Sequence, residues 1–208
     1  MGSQPVRGGK VRPFQRRIVE TSAQPRSFDA GLFGMMLFLA SLTMMFGAGL
    51  VAYLAIRWQA PQWPPPATPP LPRGMWLSTV VIVACSAALH WALMRVRARD
   101  PKGLVRGLTL GLVLAGAFLL FQTVNWVSLI TRGVTARADL FGFTLFVLTG
   151  LHAAHVIGGL VPLVLVNYRA RRGFYTPSKS SGLVYCGLYW HFLGAVWLVM
   201  FSVLYIAG

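Results

Sequence analysis

Acidic residues are what this sequence most lacks. Asp and Glu number 4 in 208 residues, against 19 Lys and Arg, so the formal charge is +15. Paired carboxylates for acid–base chemistry are missing, and so are Ser–His–Asp constellations and phosphate loops. An ion-coupled transporter or proton pump needs a titratable group at membrane depth, and no Asp, Glu, Lys or Arg stands inside the long apolar runs. Cysteine is scarce too. Cys85 and Cys186 lie in separate runs, which excludes a disulfide framework, a CxxC redox pair and a cysteine-rich zinc site. Charged residues make up 11% and the apolar set 56%. Soluble domains sit near about 25% and 45–50%. With a mean hydropathy of +0.63, this composition argues against a disordered chain and a soluble nucleic-acid binder, and points to lipid as the solvent.

Five stretches carry no charge: residues 30–56, 74–94, 107–131, 140–168 and 180–208. A helix needs about 20 mostly apolar residues to cross the bilayer core, and backbone polar groups in lipid must be satisfied within the segment. The runs predict an all-α fold, a polytopic five-transmembrane-helix bundle with helices near 31–56, 75–94, 107–130, 140–166 and 183–206. A buried helix of a soluble core would need amphipathic partners with charged faces, and there are none. Strands of an outer-membrane barrel would alternate at period two; these runs are continuous. The chain divides into a basic, mobile tail, 1–29, and a membrane domain, 30–208.

Basic residues alternate along the chain. The tail has 6, the successive loops 2, 5, 2 and 4, and the C-terminus 0. By the positive-inside rule the N-terminus is expected in the cytoplasm and the C-terminus outside. The high charge then serves topology and anionic lipid, with no nucleic acid as partner. No apolar stretch precedes residue 30, so the tail does not read as a secretory signal. Loop 59–73 holds seven prolines. It reads as a stiff, extended spacer, with a position over the helix ends or over a partner as the alternative.

Polar residues inside the spans are few. The four histidines, His90, His152, His155 and His191, all lie within them. Counting about 1.5 Å per residue from the inner helix ends puts His155 roughly 16 Å and His191 roughly 12 Å deep, so the two are expected to meet near mid-membrane. His152 shares a helix face with His155. A haem or metal site is one reading of this set. Interhelical hydrogen bonding is the better one, because metal sites want several ligands at matched depth with polar support. Gly150, Ala154 and Gly158 recur every four residues, as do Gly107, Gly111 and Ala115. Both stripes are expected to bring helices close together.

A family resemblance is carried by several segments. LFGFTLFVLTGLHAAHVIGGL (140–160) ends in Thr-Gly-x-His-x-x-His-Val, LYWHFLGAVWLVMFSVLY (188–205) contains Tyr-Trp-His-Phe, and GMMLFLASLTMMFGAGLVAYL (34–54) contains Gly-Met-x-Leu-Phe-x-x-Ser. Trp91-Ala92 and Gln122 with Trp126 fit between them. Together these resemble the cytochrome c oxidase subunit III family, in its five-helix bacterial form, over residues 31 to 208. The resemblance implies a subunit without haem or copper of its own. Such a subunit packs on the catalytic subunit I, near subunit II, of a haem-copper oxidase in the bacterial cytoplasmic (inner) membrane. It holds phospholipid in a cleft, lines a route for oxygen and supports proton uptake. Gln122, Trp126, His152, His155, Trp190 and His191 are its signature and helix-packing positions here, with the histidines expected to lock helices four and five.

The sequence departs from the family pattern at four carboxylates. Leu42, Asn125, Val184 and Gly194 stand where the family usually has Glu, Glu, Glu and Asp. A proton-collecting role is therefore not expected. The expected function is a non-catalytic scaffold in oxygen-reducing electron transport. The alternatives are a subunit III-like accessory of a nitric oxide reductase-type complex and an independent haem- or metal-binding membrane protein. A transporter is a weaker rival, with Pro162 the one clear helix breaker inside a span.

Overall fold

The computed structural model describes residues 30–207, apart from 67 and 178. The basic tail, 1–29, lies outside the described residues. Five helices account for most of the remainder: α1 Ala30–Gln59, α2 Gly74–Arg97, α3 Pro101–Thr131, α4 Leu140–Arg171 and α5 Ser181–Ala207. All five are long and apolar enough to cross a membrane, and no strand occurs among the described residues. The chain is a multi-pass, all-α membrane protein.

The helices outrun the charge-free runs at several ends, because capping and basic residues extend them. α3 starts six residues before its uncharged stretch. Asp100 caps it, accepting from the Gly103 N–H at 2.9 Å, and Pro101 follows in the first turn. Pro is at home there because the first-turn N–H groups have no intrahelical partner. Asp139 does the same for α4, accepting from the Gly142 N–H at 2.6 Å. Two of the chain's few carboxylates are thus used as N-caps, each worth typically about 1 kcal/mol. At the other end of α4, Arg169 and Arg171 occupy the last turn, where a cation meets the negative end of the helix dipole. Pro162 sits within α4 without ending it.

α2, α3, α4 and α5 form a closed ring in which each helix packs on its two neighbours, α2 on α3, α3 on α4, α4 on α5 and α5 on α2. α1 lies outside this ring, in the groove between α4 and α5, and its backbone packs closely on neither α2 nor α3. Only Leu42, Phe46 and Tyr53 of α1 are buried, while Met44 and Val51 are 77% and 66% exposed. The ring's core is a stripe of α5, Trp190, Leu193, Trp197, Met200 and Leu204, set against Phe118 of α3 and Leu89 of α2.

The tightest pair is α2–α3. A Cβ added at Gly107 would lie 2.8 Å from the Ala92 Cβ and 3.1 Å from its Cα. At Gly111 it would lie 2.6 Å from a Leu89 methyl, and Cys85 Sγ donates to the Gly111 carbonyl at 3.3 Å. The second small-residue stripe behaves differently. A Cβ at Gly150 or Gly158 would meet nothing within 4 Å, so α4 does not approach a neighbour there. Its close approach is at Gly159, where a Cβ would come within 2.6 Å of the Tyr189 ring. One residue turns the helix by about 100°, enough to move the contact face off the stripe.

The proline-rich loop is more than a spacer. Trp63 donates from Nε1 to the Tyr53 hydroxyl at 3.2 Å, and its ring packs edge-on against Tyr53 at 5.6 Å and Phe141 at 5.4 Å. The loop is therefore pinned across the ends of α1 and α4.

Gly107→Ala is expected to destabilise the bundle by about 1–3 kcal/mol, the usual cost of overpacking, since neither Ala92 nor its backbone can move aside. Gly116→Ala, with nothing within 4 Å of its Cβ, should be neutral. Denaturant titration of the purified chain in detergent compares the two.

Candidate functional site

The intramembrane histidines occupy three separate environments. His152 on α4 is fully buried. Aromatic rings from three helices surround it: Phe46 at 6.1 Å, Phe118 at 5.7 Å and Trp197 at 5.2 Å between centroids. Neither of its nitrogens has a protein partner. His155, three residues on, turns its Nδ1–H back onto the Leu151 carbonyl at 2.8 Å and packs edge-on against Phe46 at 5.3 Å. His191 on α5 hydrogen-bonds the Ser86 hydroxyl of α2 through Nδ1 and lies beside His90, ring centroids 5.8 Å apart.

The expected meeting of His155 with His191 is therefore not the arrangement found. Depth alone suggested it, but direction decides. Tyr189 and Trp190 face α4, and the next residue along α5 is turned by about 100°, which carries His191 to α2. α4 and α5 are joined by other groups. The Tyr189 hydroxyl donates to the His155 carbonyl at 2.8 Å, and His152 packs on Trp197. Tyr189 opens the Tyr-Trp-His-Phe motif but was given no packing role from sequence, and Trp197 was not singled out. The spacing of seven from Trp190 to Trp197, two helical turns, is the signal that marks those two tryptophans as one face.

Gln122 and Trp190 are each 1% exposed, and no protein group pairs with the Gln122 amide or the Trp190 indole N–H. Trp126 donates to the Thr149 hydroxyl at 3.0 Å, tying α3 to α4. Trp197 donates to the Thr79 hydroxyl at 3.0 Å, tying α5 to α2. Among the described residues, no three His, Cys, Asp or Glu side chains converge as a metal-binding group. The histidines act as ring-packing and hydrogen-bonding groups, with His90 and His191 side by side.

Beside His155 the bundle surface opens into a groove of about 510 Å³ between α1, α4 and α5. Met35, Phe38, Ala154, Gly158, Pro162 and Tyr185 line it. The Ala154–Gly158 stripe thus shapes a hollow, and its small side chains leave the room.

The family model for cytochrome c oxidase subunit III matches residues 21–208. The chain belongs to the cytochrome c oxidase subunit III family. It is similar to cytochrome c oxidase subunit 3 of Thermostichus vulcanus, 30% identical over 86% of this chain and 88% of the relative. It is likewise similar to that of Synechocystis, 32% identical over 86% of this chain and 76% of the relative. A probable cytochrome c oxidase subunit 3 of Mycobacterium leprae is 32% identical over 79% of this chain and 82% of its own length. As a subunit III, the chain is part of a multi-subunit haem-copper oxidase complex.

The four positions where the resemblance implies carboxylates have unlike surroundings in this subunit III. Leu42 is buried among apolar groups. Asn125 is buried and donates from Nδ2 to the Ser78 hydroxyl at 3.1 Å. Val184 is half-buried near the start of α5. A Cβ at Gly194 would lie 3.9 Å from Ser86, the residue that bonds His191. Uncharged groups fill these sites without leaving a buried charge unpaired.

Asn125→Leu removes the α2–α3 hydrogen bond at Ser78. It should cost about 0.6 kcal/mol from that bond, the average for such pairs in membranes, plus any strain of placing tetrahedral methyls where the planar amide lies against Gly74. Asn125→Asp should cost more, because the new carboxylate is buried with only a hydroxyl as partner. Denaturation of the detergent-solubilised chain ranks the two variants.

Proposed function

We propose that this chain is the non-catalytic subunit III of a terminal oxidase in the bacterial cytoplasmic membrane. In this reading it packs directly on subunit I, near subunit II, and the haem and copper reside in those partners. The observation that carries the reading is the family match over residues 21–208. Among the described residues no three His, Cys, Asp or Glu side chains converge, fewer than a metal cage wants, which weighs against an independent metal-binding protein. No observation favours the nitric oxide reductase-type alternative.

The alternation of basic residues, 6, 2, 5, 2, 4 and 0, supports a cytoplasmic N-terminus and an outer C-terminus. The loose seating of α1 supports a role for that helix at the face turned to subunit I. It makes contact with the ring on one side, through Leu42, Phe46 and Tyr53, and leaves its other faces to be covered. The chain's contribution to oxygen reduction is then mechanical. It holds a rigid wall against the catalytic subunit, with an apolar groove that accepts an acyl chain and offers dioxygen a lipid-like path. With Leu42, Asn125, Val184 and Gly194 uncharged, it collects no protons at those positions.

Gentle purification through a tag on this chain is expected to bring down haem-bearing partners. The haem spectrum should stay with the partners when this chain is stripped off, and should be unchanged by His155→Ala. Haem that remains on the isolated chain and is lost in His155→Ala would sink the reading. The groove has its own test. A Cβ at Gly158 meets no protein atom within 4 Å, so the branch of Gly158→Leu starts without a clash and extends into the hollow. Phospholipid retained per purified complex, measured by mass spectrometry, should fall in Gly158→Leu and hold in Gly116→Leu.

A further inference from the structure

Among the described residues, five buried polar side-chain atoms have no protein partner, and four of them belong to Gln122 and His152. The two residues occupy one layer of the bundle. Phe118, one turn before Gln122 on α3, packs its ring 5.7 Å from His152. Trp126, one turn after Gln122, bonds Thr149, which lies about one turn before His152 on α4. Gln122 is bracketed by these two contacts and turned toward the same part of α4. Both residues are also at similar depth. The charge-free runs 107–131 and 140–168 have their midpoints at 119 and 154. At about 1.5 Å per residue, Gln122 and His152 lie within roughly 5 Å of the bilayer centre, displaced toward the same face because α3 and α4 are antiparallel.

Nothing else nearby takes up these atoms. Phe46, Phe118 and Trp197 wall His152. The Thr149 hydroxyl already donates to the Leu145 carbonyl at 2.7 Å and accepts from Trp126. At this depth no solvent competes for the groups, and a buried polar atom without a partner is at its most costly. A neutral imidazole offers one N–H donor and one acceptor. A carboxamide offers two donors and a carbonyl. A ligand serving both must donate and accept, be uncharged, and fit a site that is 0–1% exposed.

We propose that Gln122 and His152 form an internal water site, with at least one ordered water molecule bridging the carboxamide of α3 to the imidazole of α4. Water presents two donors and two acceptors and commonly satisfies about three buried polar groups. An anion or metal ion would add charge that one amide and one imidazole do not balance. An acyl chain would leave all four atoms unpaired. The bridge gives α3 and α4 a polar clamp at the membrane centre, and the Trp126–Thr149 bond reinforces it one turn away. The site depends on the bundle alone and does not rest on the proposed partner contacts.

The test is a cryo-EM map of the intact oxidase complex, at a resolution that shows ordered water. The expected result is a discrete density within hydrogen-bond distance of both the Gln122 amide and the His152 ring. That density should be lost in Gln122→Leu while His152 stays in place. A map in which the Gln122 amide bonds His152 directly overturns the proposal, as does dry contact between the two. The map of the unmodified complex decides between these outcomes, so the proposal stays falsifiable if Gln122→Leu fails to assemble.

Discussion

Everything in this molecule follows from one constraint. In hydrocarbon, each backbone N–H and C=O must find its partner within its own segment. The chain answers with five helices. Once they have formed, apolar burial no longer drives them together, because lipid is as apolar as a neighbouring helix. Close van der Waals contact and a few hydrogen bonds must do that work. The glycines at 107 and 111 let α2 and α3 approach where any Cβ would strike Ala92 or Leu89. Hydroxyl and indole pairs such as Trp197–Thr79 and Trp126–Thr149 join helices where a bare polar group would be costly. The same constraint explains where two of the carboxylates went. Asp100 and Asp139 sit at helix N-termini, satisfying N–H groups that the first turn leaves free.

The division of the bundle into a closed ring and an appended helix bears directly on the role of a subunit III. The ring of α2 to α5 has an interior of its own, filled by Trp190, Trp197 and Phe118. α1 shares little of that interior. A helix held on one side only, with large apolar side chains on its other faces, is suited to meeting a second membrane chain. The groove it shares with α4 and α5 exists because Ala154 and Gly158 are small and no neighbour fills the space. A stripe of small residues can thus serve two opposite ends, close contact in α3 and a hollow in α4.

The uncharged residues at the four positions where the resemblance implies carboxylates are structurally quiet for a related reason. A buried carboxylate requires a paired cation or several donors. Leu42 asks for neither, Asn125 finds one hydroxyl, and glycine at 194 adds no polar group beside Ser86 and His191. What remains is a neutral interior in which imidazoles pack as aromatic rings and hydrogen-bond locally.

The number of spans and the family were both legible in the sequence, because they depend on properties summed along the chain. Twenty uncharged residues make a membrane helix whatever its neighbours, and His-x-x-His-Val with Tyr-Trp-His-Phe is a linear pattern. Which residues touch was not legible. His155 and His191 stand at similar depths yet point to different helices. Gly150 and Gly159 lie on one helix, but only Gly159 meets a neighbour. The proline-rich loop reads as a spacer until Trp63 is found on Tyr53 and Phe141. Each of these turns on the rotation of a helix about its axis, or the path of a loop over helix ends. Composition and spacing set which segments enter the membrane. The rotational fit of one helix against the next is an energy shared among all five, and only the assembled bundle determines it.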